Sequence, residues 1–418
     1  MHCVRIAGLF ALVVPGWGQF FSVPPADAPE LAARGRFGVG VRTIEIVHPG
    51  QPDILRFDKE TGKAPLSDRA LTLEIWYPAV IPPGVDERVV YESAMPGTPA
   101  PDVPKTFRIQ GKALRDAAPM KGSPFPLVVV SHGYPGSRTF LTWLTENLAS
   151  KGYVVAAIDH TDSVFGAQRG FASTLLNRAS DQTFTMDAIA ARAADAADFL
   201  QGIVDPARVA IVGYSMGGYG ALATAGAGYS RNGGSARTIP GGYFEPWLAG
   251  TPAYDARPRG RIKAMVAIAP WGTQPPNNNW DSEGLKGIRA PSLFIMGDHD
   301  DTSDSASIRK AFEGASNSDR FLLTFENARH NTGGNPPPPE ALGKFSTQAF
   351  FDEPVWRKER IAAINQHFIT AFLDLYVKGD ESRREYLNLP AKAPDRNTVW
   401  KGFQPRWSLG LEWRHIAP

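Results

Sequence analysis

Apolar positions along this chain fall into two rhythms. Short runs of consecutive apolar residues alternate with stretches whose apolar side chains recur every three or four positions. The first rhythm suits strands buried on both faces, the second suits helices packed against them. Val41 to Val47 and Leu71 to Tyr77 read as early strands, joined through the polar, turn-rich Asp58 to Asp68. Further strands are expected at Leu127 to Val130, Tyr153 to Ile158, Val209 to Val212, Ile262 to Ile268 and Ser292 to Met296. Phe321 to Phe325 reads as the last of them. Helices are expected at Thr139 to Ser150, stopped by Lys151-Gly152, and at Asp181 to Val204, Met216 to Ala225 and Val355 to Val377, with Gly379 as the final stop. The alternation predicts an α/β fold: a mainly parallel central sheet flanked by helices, in a single domain over 36–418.

Three stretches fit no strand–helix unit. Pro82 to Gly122 is proline-rich and reads as a surface excursion. The segment 226–260 is far longer than the usual connection between a helix and a strand. Its glycines and its aromatics Tyr229, Tyr243, Phe244, Trp247 and Tyr254 predict a lid over a substrate pocket; an ordinary surface excursion is the alternative. Aromatics in the tail 380–418 are expected to pack that segment onto the body.

Composition narrows the classes. Apolar residues make up 43% and charged residues 21%, which is ordinary for a globular protein. The net charge of +2 gives no reason to expect a nucleic-acid partner. The single cysteine excludes an intrachain disulfide. Residues 1–28 read as a leader segment: Ile6 to Val14 is long enough for the core of a signal peptide and too short to span a bilayer, and Ala26-Asp27-Ala28 offers a small-residue site. Export to the periplasm or medium is one expectation, a cytoplasmic location the other. No integral membrane segment is expected.

The chemistry gathers at strand ends. Gly213-Tyr214-Ser215-Met216-Gly217 follows an apolar strand and opens an alanine-rich helix, the setting in which a serine hydroxyl is presented on a tight turn. A serine needs a base to take its proton, and His330, just after the last expected strand, stands in the right place. Asp300, three residues beyond Gly297 at another strand end, is the expected carboxylate partner, with Asp298 and Asp301 as competitors. The glycine-containing loop Ser131-His132-Gly133-Tyr134-Pro135-Gly136 follows a strand as well. Backbone N–H groups of Tyr134 and Met216 are the expected donors to a tetrahedral oxyanion, with His132 buttressing the loop. Asp159, His160, Asp162, Asp298 and His299 match no metal-ligand spacing, so neither metal nor cofactor is expected. Pro336 to Pro339 reads as a stiff rim beside His330.

Leu127 to Gly136, together with Leu148 to His160, resembles the platelet-activating-factor acetylhydrolase and dienelactone-hydrolase-like branch of the α/β-hydrolases. The resemblance runs from about Val41 to Val377, and implies hydrolysis of small-molecule carboxylic esters through an acyl-enzyme. Two departures matter. Dienelactone hydrolases use a cysteine where this chain has Ser215, and the acetylhydrolases carry their acid where this chain has Ala269-Pro270-Trp271. That tripeptide is similar to bacterial cutinases and polyester hydrolases, which implies that Trp271 lines the substrate cleft beside Tyr134. A serine peptidase or amidase shares the same triad and is the rival function; a non-catalytic binding protein on this scaffold is the other.

Overall fold

The computed structural model describes residues 24–96, 105–258, 260–392 and 399–418. The expected apolar leader core, Ile6 to Val14, lies outside them. The main sheet is built from β1 (Gly38–Pro52), β2 (Leu66–Val80), β3 (Phe125–Ser131), β4 (Val154–Asp159), β5 (Val204–Tyr214), β6 (Ile262–Ile268), β7 (Ser292–Gly297), β8 (Arg320–Phe325) and β9 (Leu411–Ile416), with two short strands added near β1 and β2. Their spatial order is β9-β8-β7-β6-β5-β3-β4-β2-β1. The neighbours from β4 through β3 to β8 are parallel, and β1, β2 and β9 are antiparallel additions at the edges. The chain winds one way from β3 to β4 and the other way from β5 onward. A crevice therefore opens beyond the carboxyl ends of β3 and β5, where ligands of such sheets bind.

Alternation along β3 shows why the apolar runs are unbroken. Leu127 and Val129 point to one face and Val128 and Val130 to the other, and all four are buried. One face is covered by α1 (Thr142–Ser150) and, late in the chain, by the long helix Lys358–Lys378. The opposite face is covered by α2 (Phe171–Ala194), α3 (Met216–Thr224) and α4 (Ser305–Gly314). A short helix, α5 (Phe345–Phe351), precedes the long one, here α6. Gly379 ends α6 in the left-handed conformation, as its position predicts.

Several expectations need correction. The long helix expected over Asp181 to Val204 begins at Phe171 and ends at Ala194, because aspartates break it. Asp195 and Asp198 accept hydrogen bonds from the N–H groups two residues on, at 2.9 Å each, which favours turns over further helix. The proline-rich excursion holds an antiparallel hairpin, Val89–Ala94 with Thr106–Gly111. Phe321 to Phe325 is not the last strand, since β9 from the tail adds to its free edge. In the tail, Trp400 and Trp413 are fully buried.

The segment 226–260 folds onto the α2 and α3 side. Tyr229 stacks on Trp280 at 4.9 Å, Phe244 and Tyr254 are buried, and the Tyr243 hydroxyl accepts the Ala64 N–H at 2.8 Å. Its aromatics are thus spent on the body, and Tyr243 and Trp247 border a cavity of about 530 Å³ shared with His48 and Met186. In this structure the insertion packs on the body.

Trp413 ties the tail to the core: its ring stacks on Phe368 at 4.7 Å and its indole N–H donates to the Leu387 carbonyl at 2.8 Å. Trp413→Ala is expected to cost about 3–5 kcal/mol in chemical denaturation, whereas the half-exposed Trp407 is expected to tolerate alanine at about 1 kcal/mol or less.

Candidate active site

Ser215 sits at the crevice on the turn between β5 and α3. Its backbone adopts φ 54°, ψ −114°, a conformation that costs energy in any residue with a side chain. The surrounding glycines make the turn possible. A Cβ on Gly213 would lie 2.2 Å from the Gly217 carbonyl oxygen, and one on Gly217 would lie 2.0 Å from that of Ser131. The Ser215 N–H donates to the Ile268 carbonyl at 2.8 Å, pinning the turn to the end of β6.

The hydroxyl of Ser215 lies 2.9 Å from His330 Nε2, and His330 Nδ1 lies 2.9 Å from Asp300 Oδ2. Because a carboxylate can only accept, Nδ1 carries the proton and Nε2 is left to accept from the serine. The other Asp300 oxygen accepts the N–H groups of Thr302 and Ser303 at 2.9 and 2.8 Å. Burial alone would raise this carboxyl, but the bond and charge of His330, with the two backbone donors, hold it below the usual aspartate range. The competitors are engaged elsewhere. Asp298 accepts the Asn327 N–H at 2.7 Å, and Asp301 pairs with Arg329.

A second Ser–His–Asp array lies behind the first. Ser131 Oγ is 2.8 Å from His160 Nε2, and His160 Nδ1 is 2.8 Å from Asp181. All three residues are fully buried, whereas Ser215 opens on a cleft of about 620 Å³. No substrate atom can reach the Ser131 hydroxyl without unpacking the sheet. His160 is therefore a core histidine, and Asp159 and Asp162 are held by Arg138 and Arg69. Among the described residues no group of side chains is arranged to hold a metal ion.

Tyr134 and Ser215 share the cleft with Phe140, Tyr214, His330 and Phe350. Met216 is the first residue of α3, where backbone N–H groups have no partner within the helix. Trp271 is not on the wall of that cleft. It stands on the other side of the serine, its N–H donating to the Ser215 carbonyl at 3.1 Å and its ring edge-on to Phe171 at 5.6 Å. Phe171 in turn meets Tyr134 edge-on at 5.0 Å. None of Pro336 to Pro339 lines the cleft, and Pro336 and Pro338 are buried. They lead instead to α5, whose Phe345 and Phe350 supply the far wall of the cleft. The clue in the sequence was the cluster Phe345, Phe350, Phe351 shortly after His330, too short a stretch to show helical spacing.

Comparison with known proteins agrees with this architecture. A family model described as PET hydrolase-like matches residues 119–235, which hold β3, the Tyr134 loop and the Ser215 turn. The chain is 26% identical over 214 residues to cutinase est1 of Thermobifida alba, covering 51% of this chain and 55% of that protein. It is 23% identical over 208 residues to a bis(hydroxyethyl) terephthalate hydrolase of Streptomyces coelicolor, covering 49% and 50%. The chain thus spans about half the length of the curated relatives it matches. A ferulic acid esterase structure from Streptomyces cinnamoneus shares the fold, with a TM-score of 0.54, 22% identity, and coverage of 88% of this chain and 97% of that one. Sheet order and the Ser215 turn give the chain the α/β-hydrolase fold, and these matches make it similar to the cutinases and PET hydrolases.

Proposed function

We propose that this chain hydrolyses carboxylic esters through an acyl-enzyme formed on Ser215. The observation that carries the reading is the hydrogen-bonded line from Ser215 through His330 to Asp300, opening on the cleft. His330 accepts the hydroxyl proton as Oγ attacks the ester carbonyl, and Asp300 stabilises the imidazolium that results. The backbone N–H groups of Tyr134 and Met216 receive the oxyanion, each worth about 3 kcal/mol in such sites. Collapse expels the alcohol, which takes the proton from His330. Water then enters, gives a proton to His330, and releases the acid as Ser215 regains its hydrogen. The cleft toward Phe140 and Phe350 takes one end of the ester, and the Tyr134–Phe171–Trp271 aromatics face the other. The names of the relatives, cutinase and bis(hydroxyethyl) terephthalate hydrolase, favour an ester over an amide.

Matched acyl esters and amides test this reading. The ester is expected to be turned over at least 100-fold faster, and a preference for the amide would assign a peptidase or amidase. Ser215→Ala is expected to abolish turnover with folding intact.

Asp300→Asn is expected to lower kcat by about 10³–10⁴, since the amide stabilises the wrong tautomer of His330. Asp298→Asn should cost far less, because its carboxylate caps a backbone N–H instead. Kinetics of the two purified variants decide the assignment, and the reverse ranking moves the acid to Asp298.

The pH profile follows from the same geometry. Asp300 is held below the usual range, so it is ionised wherever His330 is neutral, and kcat/KM rises with pH in a single proton step. Two steps in the ascending limb would require another titrating group.

A further inference from the structure

The site has a support that the triad does not explain. Behind the Tyr134 loop lies a fully buried polar network, and one face of α2 supplies three of its members. Arg178, Asp181 and Gln182 are spaced three and four residues apart, so their side chains leave the helix on the same side. Each is at most 1% exposed. Arg178 donates to the His132 carbonyl at 2.8 Å, which is the peptide entering the Tyr134 loop. Gln182 donates to the Gly217 carbonyl at 3.1 Å, in the first turn of α3, and accepts from the Thr224 hydroxyl at 2.7 Å. Asp181 holds His160, which accepts from Ser131 and donates its own backbone N–H to His132 Nε2 at 3.3 Å.

At Gly220, α3 places no side chain of its own between the two helices. A Cβ on Gly220 of α3 would lie 2.5 Å from the Gln182 amide and 2.7 Å from Arg178 Cγ. In the first turn of the same helix, Gly217 lies against the Ser131 carbonyl. The end of β3 and the start of α3 are therefore clamped to each other and to α2. These are the two segments that carry the Tyr134 and Met216 N–H groups.

The clamp is balanced internally. Arg69 bridges Asp181 at 2.7 Å and Asp162 at 3.0 Å, so the partly exposed Arg69 and the buried Arg178 stand against two buried anions. Burial, reinforced by Arg178, holds His132 and His160 well below the usual histidine range, so both stay neutral. His132 Nδ1 faces the Gly133 carbonyl at 2.7 Å and so carries that ring's proton, which leaves its Nε2 to accept. Every partner thus fixes one donor direction. Such a network carries a desolvation cost that an apolar filling would avoid, and its return is a fixed geometry.

We propose that Arg178, Asp181 and Gln182 are positioning residues that set the separation of the two oxyanion donors. None touches substrate; each acts through the backbone that carries Tyr134 or Met216. The inference rests on the esterase reading above.

Gln182→Met is the cleanest test, because it strands no charge; Arg178→Lys, which keeps the charge but reaches only one acceptor, is the second variant. Three quantities are read with p-nitrophenyl esters: the acyl burst that counts working sites, kcat per counted site, and inhibition by phenylboronic acid, whose tetrahedral serine adduct places an oxygen between the two donors. The expected result is a 10- to 100-fold fall in kcat per counted site and a matching loss of boronate affinity, with KM within about twofold and the pH profile unmoved. A purely structural role would lower the number of sites or the melting temperature and leave kcat per site unchanged; that result overturns the proposal. If the parent turns over none of these esters while its serine is intact, the esterase reading itself fails, and this inference falls with it.

Discussion

How closely helix α3 can approach the end of strand β3 governs the site. The Ser131 carbonyl sits where a Cβ on Gly217 would be, at 2.0 Å, so only glycine permits the approach. The contact forces the chain to reverse sharply at Ser215 and holds the serine in its strained conformation. The same contact brings the Tyr134 loop beside the first N–H groups of α3. Larger side chains at Gly213 or Gly217 would separate the helix from the sheet and disperse hydroxyl and donors together. Hydrogen bonds from neighbouring strands then complete the arrangement: the end of β6 holds the Ser215 N–H, and the loops after β7 and β8 deliver Asp300 and His330.

Much of this was legible in the sequence because the features are local. A four-residue apolar run bounded by turn residues is too short for a helix and suits a buried strand, and a glycine–serine–glycine turn after such a run has few other uses. The order of serine, acid and histidine needed no knowledge of packing. What escaped was set by distant partners. Asp195 and Asp198 end α2 through their own backbone, against the alanine-rich pattern that suggests a longer helix. Strand β9 exists because β8 leaves an edge to be covered, and nothing around Leu411 announces it. The packing of the insertion 226–260 was not legible either, since its glycines and aromatics suit a mobile cover as well as a packed segment. Its rings found partners on the body, and α5, with much less sequence signal, took the place beside the cleft.

The paired Ser–His–Asp arrays show why residue types alone do not identify a catalytic group. Ser131, His160 and Asp181 reproduce the hydrogen-bond pattern of Ser215, His330 and Asp300 to within about 0.1 Å. Exposure separates them. The buried array is enclosed by arginines and helix backbone and stabilises a loop, whereas the open array faces a cleft bounded by aromatic side chains. A nucleophile requires access as well as a base.

Covalent labelling distinguishes the two arrays directly. The folded protein would be treated with a fluorophosphonate, digested, and the modified peptide located by mass spectrometry. Stoichiometric adduct on Ser215, with Ser131 unmodified, is the result that the open-cleft assignment predicts. Adduct on Ser131, or no adduct on a protein that still hydrolyses esters, would contradict it.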